Sequence, residues 1–232
     1  MSPHVSVTAQ KTTARLTGLS YLLLALCGVV SFLLVRPVLH APHDAALTLK
    51  QVTEHFALAR LGLGAELGTV VTQAVVAVFF FKLFREVDMV SAGATAAFGL
   101  INSTAILGSA ACLATALAVI RDVGLAPGGD VAATVQLLYE LSSKAWSVSA
   151  IFFGLWLIPM GHAARVSGVM PKALGWTLTV GGLGYVANAF AAHTLEGAPS
   201  WLLNGLTLPA TIGEFWMIGF LLFVGWRATP ST

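Results

Sequence analysis

The sequence predicts an all-α protein that crosses a membrane several times, a polytopic transmembrane helical bundle. Three observations carry that prediction. Of the 232 residues, 57% are hydrophobic. Only 9% are charged, where a soluble domain carries roughly 25%. The apolar residues also gather into long runs bounded by charge, and the mean hydropathy is +0.85. A water-soluble globule of this size could not hide so much apolar surface. Two cysteines rule out a disulfide scaffold. Low charge with high hydrophobicity rules out disorder. A net charge of +2, spread along the chain, forms no basic stripe for nucleic acid.

A spanning helix needs about 20 apolar residues, and six runs qualify: 16–35, 58–84, 93–120, 144–164, 173–192 and 206–226. They are predicted to make one transmembrane domain, with a short N-terminal tail (1–14) and a C-terminal tail (228–232). Arg36-Pro37 closes the first run. Lys82, Arg85, Glu86 and Asp88 close the second, and Arg121-Asp122 the third. Arg165 closes the fourth, His193 and Glu196 the fifth, and Arg227 the sixth. Pro171 stands just before the fifth run, where a helix N-terminus tolerates it. Pro209 falls in the first turn of the sixth. Pro159 lies inside the fourth run and should kink it. Two loops are long, 37–57 and 122–143. In the second, Asp130 is the N-cap expected for a short helix, 131–141, at the interface or leading into span four. A bulky Leu26 before Cys27 argues against lipoprotein-type cleavage, and Cys27 and Cys112 read as packing residues.

Lys and Arg counts set the expected orientation. With the N-terminus cytoplasmic, Lys11, Arg15, Lys82, Arg85, Arg165, Lys172 and Arg227 lie inside. Arg36, Lys50, Arg60, Arg121 and Lys144 lie outside. Both termini are therefore expected on the cytoplasmic side of a cell membrane. Trp146 and Trp201 would mark the outer interface, and Trp176 and Trp226 the inner one.

Ionisable groups inside a span are costly and mark functional sites. Glu66 and Glu214 each lie about eight residues into a span entered from outside. At 1.5 Å per residue that is roughly 12 Å below the boundary, so the two acids should share one depth. Gly62, Glu66, Thr69 and Gln73 fall on one helical face. Thr207, Thr211 and Glu214 do the same in span six, as do Thr95, Asn102 and Ser109 in span three, and Thr177, Gly181, Gly184 and Asn188 in span five. Hydrocarbon cannot satisfy such groups, so each stripe is expected to face inward. The prediction is a polar pocket with Glu66 and Glu214 at its chemical centre. Asn102, Asn188, Gln73, Thr69 and Thr211 would line it for a substrate. Two nearby carboxyls in low dielectric would divide into one acid and one base. Gly64 and Gly68 form a small-xxx-small pair that packs helices within the chain or in a homodimer. The six histidines show no metal-site spacing, and no motif calls for a cofactor.

Several stretches carry a family resemblance. They are Ala14-Arg15-Leu16-Thr17-Gly18-Leu19-Ser20-Tyr21-Leu22, Ala59-Arg60-Leu61-Gly62-Leu63-Gly64-Ala65-Glu66 and Phe152-Phe153-Gly154-Leu155. Pro171-Lys172-Ala173-Leu174-Gly175, Gly182-Leu183-Gly184-Tyr185 and Pro209-Ala210-Thr211-Ile212-Gly213-Glu214 complete the set. Together they resemble a bacterial family of multi-pass membrane proteins described as domain of unknown function 4386. The resemblance implies an acid near Glu66, a Glu at 214 and often a His after Phe-Phe-Gly-Leu, a place held here by Trp156. It implies no activity. In layout alone, the chain is also similar to membrane-embedded terpene cyclases, which pair an acid on an early span with one on the last. That analogy implies protonation-initiated cyclisation, with Trp216, Phe215, Tyr185 and Trp156 stabilising a cation. The first expectation is thus a membrane enzyme using paired carboxylates for acid–base chemistry on a lipophilic, isoprenoid-like substrate drawn from the lipid bilayer. The alternatives are a non-catalytic membrane subunit and a proton-coupled small-molecule transporter.

Overall fold

The computed structural model describes residues 7–225 and is all-α, with no strand among those residues. Its helices are α1 (Val7–Gly28), α2 (Arg36–Leu39), α3 (Ala45–Glu54), α4 (Phe56–Phe84), α5 (Met89–Arg121), α6 (Val131–Val166), α7 (Lys172–Thr194) and α8 (Ser200–Gly219). A π-helical stretch, Val29–Val35, joins α1 to α2 without a break, and another, Phe220–Val224, extends α8. The expected placements of Trp226 and Arg227 lie outside the described residues, as do tail positions 1–6 and 228–232.

Five segments are long and apolar enough to cross a membrane: Gln10–Leu39, Phe56–Phe84, Met89–Arg121, Val131–Val166 and Ser200–Val224. The expected fifth run, 173–192, is α7, a helix of 23 residues. It has the length to span, but Gly, Thr and Asn188 dilute its apolar character below that of the other five. The outward surfaces suit lipid rather than water. On α4, Leu61, Leu67, Val71, Val75 and Val78 form an exposed apolar stripe. The opposite face buries Glu66, Thr69 and Gln73.

Helix ends differ from expectation for local reasons. The first span does not stop at Arg36-Pro37. The π stretch hands over to a fresh turn, and Pro37 sits in its first positions, where no N–H is needed. α6 is one helix of 36 residues, so the expected short helix is its N-terminal part. Asp130 caps it, accepting from the Ala133 N–H at 2.9 Å. The loop 37–57 contains α3, capped by Asp44, which accepts from the Leu47 N–H at 2.9 Å. Asp88 caps α5, taking the Val90 N–H at 3.0 Å and the Ser91 hydroxyl at 2.7 Å. The Ser91 hydroxyl is the main reason that the Asp88 carboxyl is held below its ordinary range.

The chain divides into two compact units. One comprises residues 1–22, 73–102 and 150–232, and the other 23–72 and 103–149. In the first, helices meet through glycine. Gly154 and Gly161 of α6 face Gly182 and Gly175 of α7, a pair of seven-residue repeats running antiparallel. Gly181 and Gly184 of α7 abut Ala210 and Leu206 of α8. These contacts bring backbone against backbone, as small residues do between membrane helices. The second unit has an apolar core that includes Val35, Leu39, Val52, Ala59, Ala116, Val135 and Tyr139. There Gly62 admits Val35, and Gly68 admits Cys27. Gly68 of the small-xxx-small pair thus packs within the chain, while nothing lies near the Cβ position of Gly64.

Gly184→Ala should therefore cost about 1–3 kcal/mol through overpacking against the Leu206 carbonyl. Gly64→Ala should be neutral or stabilise its helix by up to about 1 kcal/mol. Thermal melting of the two purified variants in detergent micelles checks the contrast.

Candidate functional site

Glu66 is 1% exposed, and its partner is Arg36, which follows the first apolar run. Arg36 is itself buried. Its Nη2 lies 3.2 Å from Glu66 Oε2 and donates to the Ser142 hydroxyl at 2.8 Å. Its Nη1 donates to the Ser143 hydroxyl at 2.8 Å. The other Glu66 oxygen, Oε1, accepts from the Trp146 indole N–H at 3.0 Å. Arg36 is therefore not an outer-loop charge, and Trp146 is not solely an interfacial anchor. The π-helical stretch just before Arg36 explains how a span-end cation comes to point inward. Its wider turn changes the face on which the next residue falls. Phe32, from that stretch, lies under the guanidinium at 5.3 Å and against Trp146 at 5.1 Å.

Around this pair the polar network continues. Ser142 and Ser109 hydroxyls are 2.6 Å apart, which ties α5 to α6. A cavity of about 10 Å³ lies beside Arg36 and Glu66, with Ser31 and Tyr139 in its wall. That is room for about one water. Next along, His40 Nε2 lies 3.2 Å from Glu140 Oε1, and its ring packs on Tyr139. Burial is the main cause that pushes the His40 imidazole below its ordinary value, against the pull of Glu140.

Glu214 belongs to the other unit and has a different partner. The Tyr21 hydroxyl donates to its Oε1 at 2.6 Å. Tyr21 sits edge-on to Phe80 and to Trp156, each at 5.6 Å. Phe153 stacks on Trp156 at 6.1 Å and meets Tyr185 edge-on at 5.1 Å. Glu214 is only partly buried.

The remaining predicted residues divide by burial. Thr69, Gln73, Asn102 and Trp156 are buried. Among the described residues, both amide atoms of Gln73 and the Trp156 indole N–H lack a hydrogen-bond partner. Asn188 donates to the Leu203 carbonyl at 2.6 Å, joining α7 to α8. Thr211, Phe215 and Trp216 are exposed, which corrects the inward stripe expected for span six. Thr211 can face outward because its hydroxyl back-bonds to the Thr207 carbonyl at 3.5 Å, on its own helix. Arg36 and Tyr21 are the two partners that sequence reasoning missed. The usable signal was the same for both: a polar side chain inside the first apolar run or at its edge, with an intramembrane acid elsewhere to satisfy.

The fold and its polar sites define an all-α, multi-pass integral membrane protein with intramembrane carboxyl groups. The family model described as Domain of unknown function (DUF4386) matches residues 16–225, and the chain belongs to that family. No match was found among curated proteins or among solved structures.

Removing either member of the buried pair, by Arg36→Gln or Glu66→Gln, should cost about 3–5 kcal/mol, because one charge is left unpaired. The double variant should cost less than the two singles summed, and a double-mutant cycle on melting in detergent measures that coupling. His40 gives a separate pH dependence. Its folded value lies below the ordinary value of about 6.5. Its contribution is therefore fully present above pH 6.5 and is lost as pH falls through the folded value. Melting between pH 7.5 and pH 5 should show this fall, flattened in His40→Gln.

Proposed function

We propose that the chain is an integral membrane enzyme that uses carboxyl acid–base chemistry on a lipophilic, isoprenoid-like substrate, as membrane terpene cyclases do. The observation that carries this reading is the 2.6 Å contact between Tyr21 Oη and Glu214 Oε1. A carboxyl group that gives up its proton inside hydrocarbon becomes an anion without solvent. A positioned hydroxyl then supplies the hydrogen bond that water would otherwise supply. This reading assigns the proton transfer to Glu214, and it is supported by Glu66 being the counter-ion to Arg36.

The chemistry balances as an isomerisation. Protonated Glu214 transfers its proton to an alkene or epoxide, and a new C–C bond forms as the cation is attacked by a second double bond of the same molecule. Loss of a proton from the cyclised cation to the Glu214 carboxylate restores the enzyme. The aromatic cluster of Tyr21, Phe80, Phe153, Trp156 and Tyr185 supports this reading, since ring faces stabilise a passing cation. The partly exposed position of Glu214 supports entry of substrate from the lipid. On the same reading the membrane is the cell membrane with both termini cytoplasmic, and Arg36 leaves the outer charge set, which strengthens the inside bias of Lys and Arg.

Glu214→Gln should lower turnover of a polyprenyl alkene or epoxide by about 10²–10⁴-fold, the usual contribution of a general acid. Tyr21→Phe should lower it less, with the melting temperature of both variants near that of the parent. Product analysis of membranes incubated with a panel of polyprenyl substrates makes the measurement. Full turnover in Glu214→Gln would overturn the proposal.

A further inference from the structure

We infer that the junction where α6 stops and α7 starts binds one anionic phospholipid, its phosphate held by Arg165 and Lys172 and an acyl chain laid along α7. The two cations belong to different helices, and glycine brings them together. At Gly175 a Cβ would collide with the Arg165 stem, so glycine is what lets the arginine lie across α7. Its guanidinium rests on the Trp176 ring, 3.9 Å from the centroid. That contact uses the face of the guanidinium and leaves its N–H edges for an acceptor. Arg165 Nε has no hydrogen-bond partner among the described residues. Lys172 is exposed and stands one turn before Trp176, on the same face of α7. The acids nearby are engaged elsewhere. Asp88 caps α5 through Val90 and Ser91 and lies 3.5 Å from His162. Glu86 lies 3.9 Å from Arg85. Among the described residues, Arg165 and Lys172 form no ion pair.

Two like charges at one helix junction repel, and an anion with several oxygens relieves both. A phosphate diester is such an anion, and it meets a planar guanidinium with two oxygens at once. The surface that continues from the cations separates a lipid from a free phosphate. Trp176, Val180 and Leu183 follow Lys172 at helical spacing and are 56%, 51% and 56% exposed. Phe190, 58% exposed, extends the same stripe. From Trp176 to Phe190 the helix rises roughly 20 Å, more than the ~15 Å depth of one leaflet. An anionic head followed by a hydrocarbon tail matches the cations and the stripe in that order. A zwitterionic head brings an ammonium group to the same two cations and gains less. The site does not depend on the chemistry proposed for Glu214.

The test is native mass spectrometry of the full-length protein in detergent micelles. The probes are dioleoylphosphatidylglycerol, dioleoylphosphatidylcholine and inorganic phosphate. One phosphatidylglycerol should bind about tenfold more tightly than phosphatidylcholine and should not be displaced by millimolar phosphate. Lys172→Gln and Arg165→Gln should each weaken phosphatidylglycerol about fivefold and leave phosphatidylcholine unchanged. The double variant Lys82→Gln with Arg85→Gln removes two other cations near the start of α5 and should change the affinity less than about twofold. Equal affinity for the two lipids would overturn the inference, as would unchanged phosphatidylglycerol binding by Lys172→Gln. An equal loss in the Lys82 and Arg85 double variant would replace the site by diffuse surface charge. Displacement by inorganic phosphate would remove the lipid from the assignment. Lys172 is exposed at a helix end, so Lys172→Gln keeps the test decisive if Arg165→Gln does not fold.

Discussion

A charge inside hydrocarbon must be neutralised where it sits, and the Arg36–Glu66 pair imposes that demand on half of this molecule. An unpaired Arg or Glu at span depth costs several kcal/mol even on the mildest scale. Pairing removes the cost only when geometry is good and the leftover donors are occupied. Both conditions draw in other helices. The first span must turn Arg36 inward, which the π-helical stretch Val29–Val35 does. α4 must come close enough to meet it, which Gly62 allows by admitting Val35. α6 must present Ser142, Ser143 and Trp146 on one face. A shift of one helical turn, about 5.4 Å, in any of these would strand two charges. The pair therefore specifies a register that apolar packing against lipid-like neighbours could not specify alone.

The unit that holds Glu214 is held together by a different force. Its helices meet through Gly154, Gly161, Gly175, Gly181, Gly182 and Gly184, and the gain is close van der Waals contact rather than charge pairing. Asn188 adds one interhelical hydrogen bond. No cation is needed in this design, because the acid there is met by a neutral phenol. The two intramembrane glutamates, alike in the sequence, thus occupy opposite electrostatic situations. One is a fixed counter-ion with both oxygens engaged. The other meets a single hydroxyl beside a cluster of aromatic rings.

How much of this was legible follows from what lipid enforces. Long apolar runs forced helices, so the spans could be read from composition, although their ends could not. α6 begins at Val131 because Asp130 caps it, well before the apolar run, and the first span runs past Pro37 because a π stretch resets the hydrogen bonding. The buried face of α4 was legible because Glu66, Thr69 and Gln73 share one side and a carboxyl and an amide cannot face hydrocarbon unaided. The face of α8 was not. A threonine satisfies its own hydroxyl on the preceding turn, as Thr211 and Thr177 do, so a threonine stripe carries no direction. Arg36 was illegible for a geometric reason. An arginine before a proline at the end of an apolar run has the same sequence signature as an interfacial stop, and only the local helix type reverses its meaning.

The same reasoning separates the two acids in chemical terms. A carboxylate bound to a guanidinium and an indole N–H has little to gain by giving its place away, and it stays a counter-ion. A carboxyl held by a phenol has no such fixed cation, and on the proposed reading a proton leaving it creates a new charge that Tyr21 is placed to meet. That transient anion is strongly attracted to any cation formed nearby, because no solvent screens the two. On the proposed reading, the low dielectric that makes Glu214 expensive to ionise is also what binds a substrate cation beside it until the proton returns.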